Sequence, residues 1–135
     1  MNEPMDSPSA KSINPAPFAY EGLERVIHEK ARLGILASLA SHAAGLAFSE
    51  LKQLCALTDG NLNRHLQVLQ DAGLVEVTKL TDGPRPQTVC HVTEQGRSRF
   101  AEYISVLEKA VHDALTAQRT ELARIAQSVQ GWKPA

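Results

Sequence analysis

Four side chains between positions 61 and 67 carry hydrogen-bonding groups suited to reading nucleic-acid bases: Asn61, Asn63, Arg64 and Gln67. At about 100° per residue, Arg64 and Gln67 share one side of a helix, with the two asparagines beside them. Asn and Gln pair bidentately with adenine, and Arg with guanine, in the major groove. A solvated helix face more often carries Glu and Lys four residues apart. The pattern therefore favours a base-reading surface, and a solvated face is the alternative.

The helix that must position these side chains has a purely leucine inner side. Leu62, Leu66 and Leu69 recur at i, i+4 and i+7, the spacing of one helical face. Thr58 stands where an N-cap is expected, and Gly73 follows the last turn, where a left-handed residue ends many helices. The sequence predicts a helix that turns its leucines inward and its amides and arginine outward.

A shorter helix is predicted just before it, which makes a helix-turn-helix. Leu51 and Leu54 fall on one face of this shorter helix, and Leu57 closes the turn. Ser49 is its expected N-cap, with Glu50 favourable in the first turn.

Two β-rich runs follow, Leu74–Leu80 and Gln87–Val92, separated by six residues that include Arg85 between two prolines. This pattern predicts a hairpin with a stiff, exposed tip, and Lys79 stands just inside it. Such a tip places a cation in a minor groove or against phosphates. The alternative is an ordinary loop whose arginine serves solubility.

The blocks DGNLNRHL, AGLV, GPRPQT and TEQGR, which span Asp59–Leu66, Ala72–Val75, Gly83–Thr88 and Thr93–Arg97, resemble those of winged-helix regulators of the MarR/ArsR-like superfamily. The resemblance covers residues 30 to 111 and is strongest to a compact winged-helix DNA-binding subgroup. It implies a homodimeric bacterial transcriptional regulator with one helix in the major groove and a wing beside it. It also implies that Ala47 pairs with the wing as a one-residue third strand. The expected fold is mainly α with a small β-hairpin wing.

Helical patterns flank the reading unit on both sides. One runs from Gly22 to His42, and the other starts at Thr93 and extends for about nine turns, with a possible break near Thr116–Thr120. An apolar stripe of this length exceeds what so small a domain buries, which predicts a homodimer. The candidate dimer residues are Leu23, Val26, Ile27, Ile104, Leu107, Val111, Leu115, Leu122 and Ile125.

The length of 135 residues suits one domain. Residues 1–19 are Pro-rich and predicted to form a disordered tail. Residues 20–131 are predicted to form one winged-helix domain. Its parts are a first helix over 20–44, the helix-turn-helix and wing over 46–93, and dimerisation helices over 94–130.

Composition and charge limit the function classes. The formal net charge is −1, so DNA binding must depend on a few well-placed cations, doubled by symmetry, and we expect a modest salt dependence. No run of 18 apolar residues spans a membrane, and the first residues lack a signal layout. Two cysteines fit a reduced cytoplasmic protein better than a disulfide scaffold.

Other chemistry is poorly supported by the sequence. No catalytic constellation or cofactor motif occurs, so we expect no enzyme and no cofactor. The histidines form no metal-binding spacing; His65, on the edge of the leucine stripe, is expected to pack. Cys55 lacks the paired cysteine of metal-sensing ArsR-like proteins, and it and Cys90 are expected to pack as small hydrophobes. His28 and His112 could approach each other in a helical dimer interface.

These observations predict a sequence-specific double-stranded DNA-binding transcriptional regulator, a repressor that binds a pseudo-palindromic operator as a homodimer. Arg97 and Arg99, near the base of the wing, are expected either to touch phosphate or to be solvated charges. One alternative function is a protein-interaction module, and another is a ligand- or redox-responsive sensor with an unknown small-molecule effector. The expected DNA-binding residues are Thr58, Asn61, Asn63, Arg64, Gln67, Lys79 and Arg85.

Overall fold

The computed structural model describes residues 16–130, which divide into two compact units. One unit is Gly22–Glu108, and the other combines residues 16–21 with residues 109–130. Most of the predicted tail, residues 1–15, lies outside the described residues, as does position 131 at the end of the predicted domain. The prediction of a single domain over 20–131 stays a prediction.

The described chain is mainly helical, with one small antiparallel sheet in the strand order β1-β3-β2. This confirms the predicted winged helix-turn-helix fold. The elements, in chain order, are α1 (Lys30–Ala40), β1 (Leu46–Ala47), α2 (Phe48–Cys55), α3 (Asp59–Asp71), β2 (Val75–Leu80), β3 (Gln87–Val92) and α4 (Glu94–Gln130).

The core of the Gly22–Glu108 unit is almost entirely aliphatic. Buried leucines and isoleucines from the first three helices meet Leu46, Leu74 and Cys90 of the sheet region, and Phe100 and Tyr103 of α4 cover them. No polar or charged residue is buried among residues 16–130. Burial of this apolar surface is what holds the helix-turn-helix on the sheet.

Strand β1 is the short third strand that was predicted, and it pairs over two residues, Leu46 with Cys90 and Ala47 with Val89. Ala47 is also the N-cap of α2, where its N–H donates to Glu50 Oε1 at 2.9 Å. The prediction of Ser49 as the cap is wrong, because this strand pairing sets the helix start one residue before Ser49.

Leu51 and Leu54, which are predicted to fall on one face of this helix, differ in burial. Leu51 is fully buried, whereas the Leu54 side chain is 59% exposed. Helix α2 ends at Cys55, and Ala56 adopts a left-handed conformation with φ 54°. The final turn of this short helix therefore extends past the edge of the core.

Helix α1 begins at Lys30 rather than at Gly22, so the predicted first helix was too long. The Glu29 side chain caps α1 by accepting from the Arg32 N–H at 2.9 Å. Arg32 Nε donates to the Val26 carbonyl at 2.7 Å, which stabilises the non-helical turns before the cap.

Those turns carry Ile27 into the core, where it is fully buried. The prediction that Ile27 lies in a dimer interface is therefore wrong. Leu23 and Val26 are half-buried and pack against the same core. Their assignment to a dimer interface stays a prediction.

Helix α4 is continuous over 37 residues. The possible break near Thr116–Thr120 does not occur, because that stretch contains neither Gly nor Pro and a helix accommodates its residues. Thr93 caps the start of the helix, because its Oγ1 accepts from the Gly96 N–H at 2.8 Å. No helix between residues 16 and 130 is apolar enough over a sufficient length to cross a membrane.

Within the unit of residues 16–21 and 109–130, Tyr20 has a left-handed φ of 45° and donates its hydroxyl to Asp113 Oδ2 at 2.7 Å. Lys109 donates to the same oxygen at 2.9 Å. The hydrogen bond from Tyr20, and then that from Lys109, lowers the pKa of Asp113 below its usual value. The hydrogen bond between Tyr20 and Asp113 therefore holds residues 16–21 against residues 109–130 within this unit.

Gly96 provides the first stability prediction. A Cβ at Gly96 would overlap the carbonyl oxygen of Leu74, whereas a Cβ at Gly60 on α3 would meet nothing within 4 Å. We expect Gly96→Ala to lower the free energy of unfolding in urea by about 2–3 kcal/mol, because backbone must move. Gly60→Ala is the matched control and should raise it by up to about 1 kcal/mol. Equal unfolding midpoints for the two variants would contradict the packing assignment.

Candidate nucleic-acid interface

Helix α3 has the orientation that its sequence predicts. Thr58 Oγ1 accepts from the Asn61 N–H at 3.2 Å and caps the helix, and Gly73 follows it with a left-handed φ of 78°. Leu62, Leu66 and Leu69 are buried. The opposite side, which we call the outer face of α3, is exposed and comprises Asn61, Asn63, Arg64 and Gln67.

Two hydrogen bonds order the outer face from within the helix. Arg64 Nη2 donates to Asn61 Oδ1 at 3.0 Å, and Gln67 Nε2 donates to Asp71 Oδ1 at 2.9 Å. These bonds follow the i,i+3 and i,i+4 geometry of helix neighbours. The side chains that could meet a duplex are therefore oriented before any partner arrives.

The inner edge of α3 is tied to α1 by a polar contact. Arg32 Nη1 donates to His65 Nδ1 at 3.2 Å, and Glu29 Oε1 lies 3.8 Å from the same nitrogen. Since arginine only donates, His65 accepts through Nδ1. His65 thus packs as a structural residue, as predicted, and its contact limits rotation of α3.

The C-terminal end of α3 is held by residues beyond the wing. Thr93 Oγ1 donates to the Gly73 carbonyl at 2.7 Å, and Arg99 Nη1 donates to the Ala72 carbonyl at 3.2 Å. Arg99 also forms an ion pair with Glu24, and the hydrogen bond to Glu24 raises the pKa of this guanidinium. Arg99 is therefore not a free surface charge, and its contact with phosphate stays a prediction.

Arg97 differs from a free surface charge in the same way, because its Nη1 donates to the carbonyl of Ala40 at the end of α1, at 3.2 Å. Sequence reasoning missed these arginine contacts. The ion pair of Arg99 joins residues 75 positions apart, and no local pattern indicates such a partner.

The hairpin forms the predicted wing, with strands that stay paired up to Leu80 and Gln87 and a six-residue tip between them. The side chains of Lys79 and Arg85 are exposed, and neither forms a hydrogen bond or ion pair with any described residue. Their charges are consequently available to an anionic partner.

A groove of about 310 Å³ separates the outer face of α3 from the wing. Phe48, Leu66 and Val77 form its apolar part, and the polar side chains around it are Asn63, Gln67, Gln70, Lys79 and Thr88. Amides from the helix and a lysine from the wing thus face a single channel, which is a suitable arrangement for contacting both bases and phosphates.

The two cysteines and His28 have structural surroundings. Cys90 is fully buried, and burial raises the pKa of its thiol, which makes it a poor nucleophile. Cys55 is half-buried, with its Sγ 3.8 Å from Ser38 Oγ. His28 Nδ1 lies 2.6 Å from the Tyr103 hydroxyl, within one chain. Between residues 16 and 130, no cluster of three His, Cys, Asp or Glu side chains could hold a metal ion.

Known proteins with this architecture identify the family. Residues 31–111 match the family model described as a winged helix DNA-binding domain. An uncharacterised protein of Methanocaldococcus jannaschii is 37% identical over 83 residues, which cover 59% of this chain and 86% of that protein. Since the match spans more than half of the chain, the protein belongs to the winged helix DNA-binding domain family.

Solved structures share the fold. A transcriptional regulator homologue from Pyrococcus horikoshii OT3 is 33% identical, with a TM-score of 0.65 over 73% of this chain and 96% of that one. The S. aureus MepR–DNA complex is 16% identical, with a TM-score of 0.60 over 90% of this chain and 96% of that one. The fold is that of MarR-like regulators, and the family and fold together define a DNA-binding transcriptional regulator.

The cap of α1 gives a pH-dependent prediction for the support of α3. The backbone hydrogen bond from Arg32 lowers the pKa of Glu29. The stabilisation of the fold by the charged Glu29 cap is therefore present above the unfolded-state pKa of about 4.3. It is lost as the pH falls through the lower folded-state pKa. Glu29→Gln should reduce the free energy of unfolding by about 0.5 kcal/mol at pH 7 and by much less at pH 3.

Chemical denaturation at both pH values measures this difference. Glu76→Gln removes an exposed carboxylate with no hydrogen bond to any described residue and serves as the control. A Glu29→Gln deficit that grows as the pH falls would contradict the assignment of Glu29 as a charged cap.

Proposed function

We propose that this protein is a homodimeric, sequence-specific regulator that represses transcription by occupying a pseudo-palindromic operator. The observation that supports it best is the exposed outer face of α3 beside a wing whose Lys79 and Arg85 form no ion pair with any described residue. In this proposal α3 enters the major groove, Asn61, Asn63, Arg64 and Gln67 contact base edges, and the wing contacts the backbone or the minor groove.

The capped end of α3 adds a phosphate contact. The first N–H groups of a helix favour an anion, and the start of α3 at Thr58 is exposed to solvent. Together with Lys79 and Arg85, it gives each subunit about three backbone contacts. A net charge of −1 supplies little further attraction, so we expect log K to fall with log salt at a slope of roughly −5 for the six contacts of the dimer.

Dimerisation is proposed from the uncovered apolar stripe of α4. Val111, Leu115, Leu122 and Ile125 are between 43% and 59% exposed, and they share one side of the helix. Burying this side against a second copy would remove it from water. Ile104 and Leu107, half-buried on the same side, and Leu23 and Val26 complete the proposed interface.

Repression is proposed because no stretch of the sequence resembles a separate activation region. A dimer with two outer faces reads half-sites about one helical turn of DNA apart. The MepR and CouR structures, solved with DNA, have the same fold and make this mode of binding reasonable.

Substitutions in α3 and the wing distinguish base contacts from backbone contacts. We expect Arg64→Ala to reduce the preference for the best duplex over random DNA by about tenfold, because a base contact is lost. Arg85→Ala should weaken all duplexes similarly and reduce the salt slope by about one for each site in the dimer. Fluorescence anisotropy at several salt concentrations measures both effects.

The control for this experiment is Arg124→Ala, which removes an arginine on α4 that is paired with Glu121. Unchanged binding by both the Arg64 and Arg85 variants would show that these residues do not contact DNA. Wild-type protein that binds random and selected duplexes equally would refute sequence-specific regulation.

The stripe of α4 gives a matched pair of dimer variants. Leu115→Glu puts a charge in the proposed interface and should raise the dimer dissociation constant by about tenfold or more. Thr120→Glu puts the same charge on the opposite side of α4 and should leave it unchanged. Sedimentation equilibrium measures both, and a wild-type protein that is monomeric at micromolar concentration would refute the dimer.

A further inference from the structure

We propose that the hydrogen bonds within α3 divide its outer face into a donor end and an acceptor end, and so determine which bases it accepts. The donor end is formed by Asn61 and Arg64 and selects guanine. The acceptor end is formed by Gln67, oriented by Asp71, and selects a base with an exocyclic amino group, adenine or cytosine. This inference rests on the proposed function, since it names the bases that the same surface reads.

The donor end follows from the contact between Arg64 Nη2 and Asn61 Oδ1, 3.0 Å apart. The guanidinium takes one of the two lone pairs of the asparagine carbonyl oxygen, and its positive charge lies beside the other. What remains toward solvent is the Asn61 amide N–H groups and the other Arg64 donors. The major-groove edge of guanine offers two acceptors, N7 and O6, and no donor, so it complements this end.

The acceptor end follows from the contact between Gln67 Nε2 and Asp71 Oδ1, 2.9 Å apart. The carboxylate holds one of the two amide hydrogens of Gln67, which fixes the rotation of the amide and leaves Oε1 as an outward acceptor, with the second amide hydrogen beside it. Adenine N6 and cytosine N4 donate to such an oxygen, whereas guanine O6 and thymine O4 present a second acceptor. The exposed charge of Asp71 strengthens the exclusion of guanine and thymine.

The spacing allows both ends to act in the same half-site. Arg64 and Gln67 are three residues apart, a rise of about 4.5 Å along the helix. This is slightly more than the separation of about 3.4 Å between neighbouring bases of one strand. In this proposal the two ends read neighbouring base pairs, one with a guanine and the next with an amino-bearing base.

Asp71 acts in this scheme as a positioning residue, and the exposed acid at the other end of the helix provides its control. Asp59 is also on α3, but it pairs with Lys52 at 2.9 Å and does not contact the amides of the outer face. Asp59→Ala and Asp71→Ala therefore remove the same charge from the same helix. Only Asp71→Ala releases the Gln67 amide.

The test is selection of duplexes from a randomised library by the full chain, with sequencing of the bound fraction. Wild type should exclude guanine and thymine by about tenfold at one position next to a selected guanine. Asp71→Ala and Gln67→Ala should both reduce that exclusion to less than about threefold. Asp71→Asn, which retains a carbonyl acceptor for Gln67, and Asp59→Ala should retain it.

The outcomes separate the two proposals. If wild type selects a sequence but no position excludes guanine and thymine, or if Asp71→Ala gives the wild-type profile, the donor and acceptor assignment is wrong while the regulator stands. If wild type selects no sequence, the proposed function fails and the assignment fails with it. A folding defect in Asp71→Ala is detected by circular dichroism, and Gln67→Ala then gives the result.

Discussion

The burial of Leu62, Leu66 and Leu69 is the constraint on which the rest of the site depends. Each fully buried leucine stabilises the fold by about 1.5–3 kcal/mol. Rotating α3 by one residue position would expose leucine and bury an amide or a guanidinium, at a cost that the small core could not offset. The exposure of Arg64 and Gln67 is therefore a consequence of apolar packing on the other side of the same helix.

Polar contacts around this core further restrict the orientation of α3 that the leucines determine. Arg32 meets α3 at His65, and Arg99 and Thr93 meet its C-terminal end. Some of the arginines in these contacts would be counted as DNA-binding charges if only the sequence were considered. Of the arginines near α3 and the wing, Arg97 and Arg99 are bound to the protein itself, whereas Arg85 is free of ion pairs with the described residues.

The sequence predicts those parts of the fold that short-range patterns determine. The leucine spacing, the Thr58 cap, the two β-rich runs and Gly73 give α3 and the wing nearly to the residue. The predictions are wrong where contacts between residues far apart in the sequence determine the local structure. Strand pairing with β3 moves the start of α2, and packing of Ile27 into the core replaces the first turns of a predicted helix.

The net charge of the protein and the order of its outer face have different roles in the proposed DNA binding. With a net charge of −1, sequence-independent attraction to a duplex in the proposed function must come from a few placed cations, Lys79 and Arg85. Discrimination then depends on base contacts, and these are effective only when the side chains are already ordered, because ordering costs conformational entropy. The bonds from Arg64 to Asn61 and from Gln67 to Asp71 provide that order before binding. A near-neutral protein with a preorganised helix face is thus a consistent design for selective rather than tight recognition.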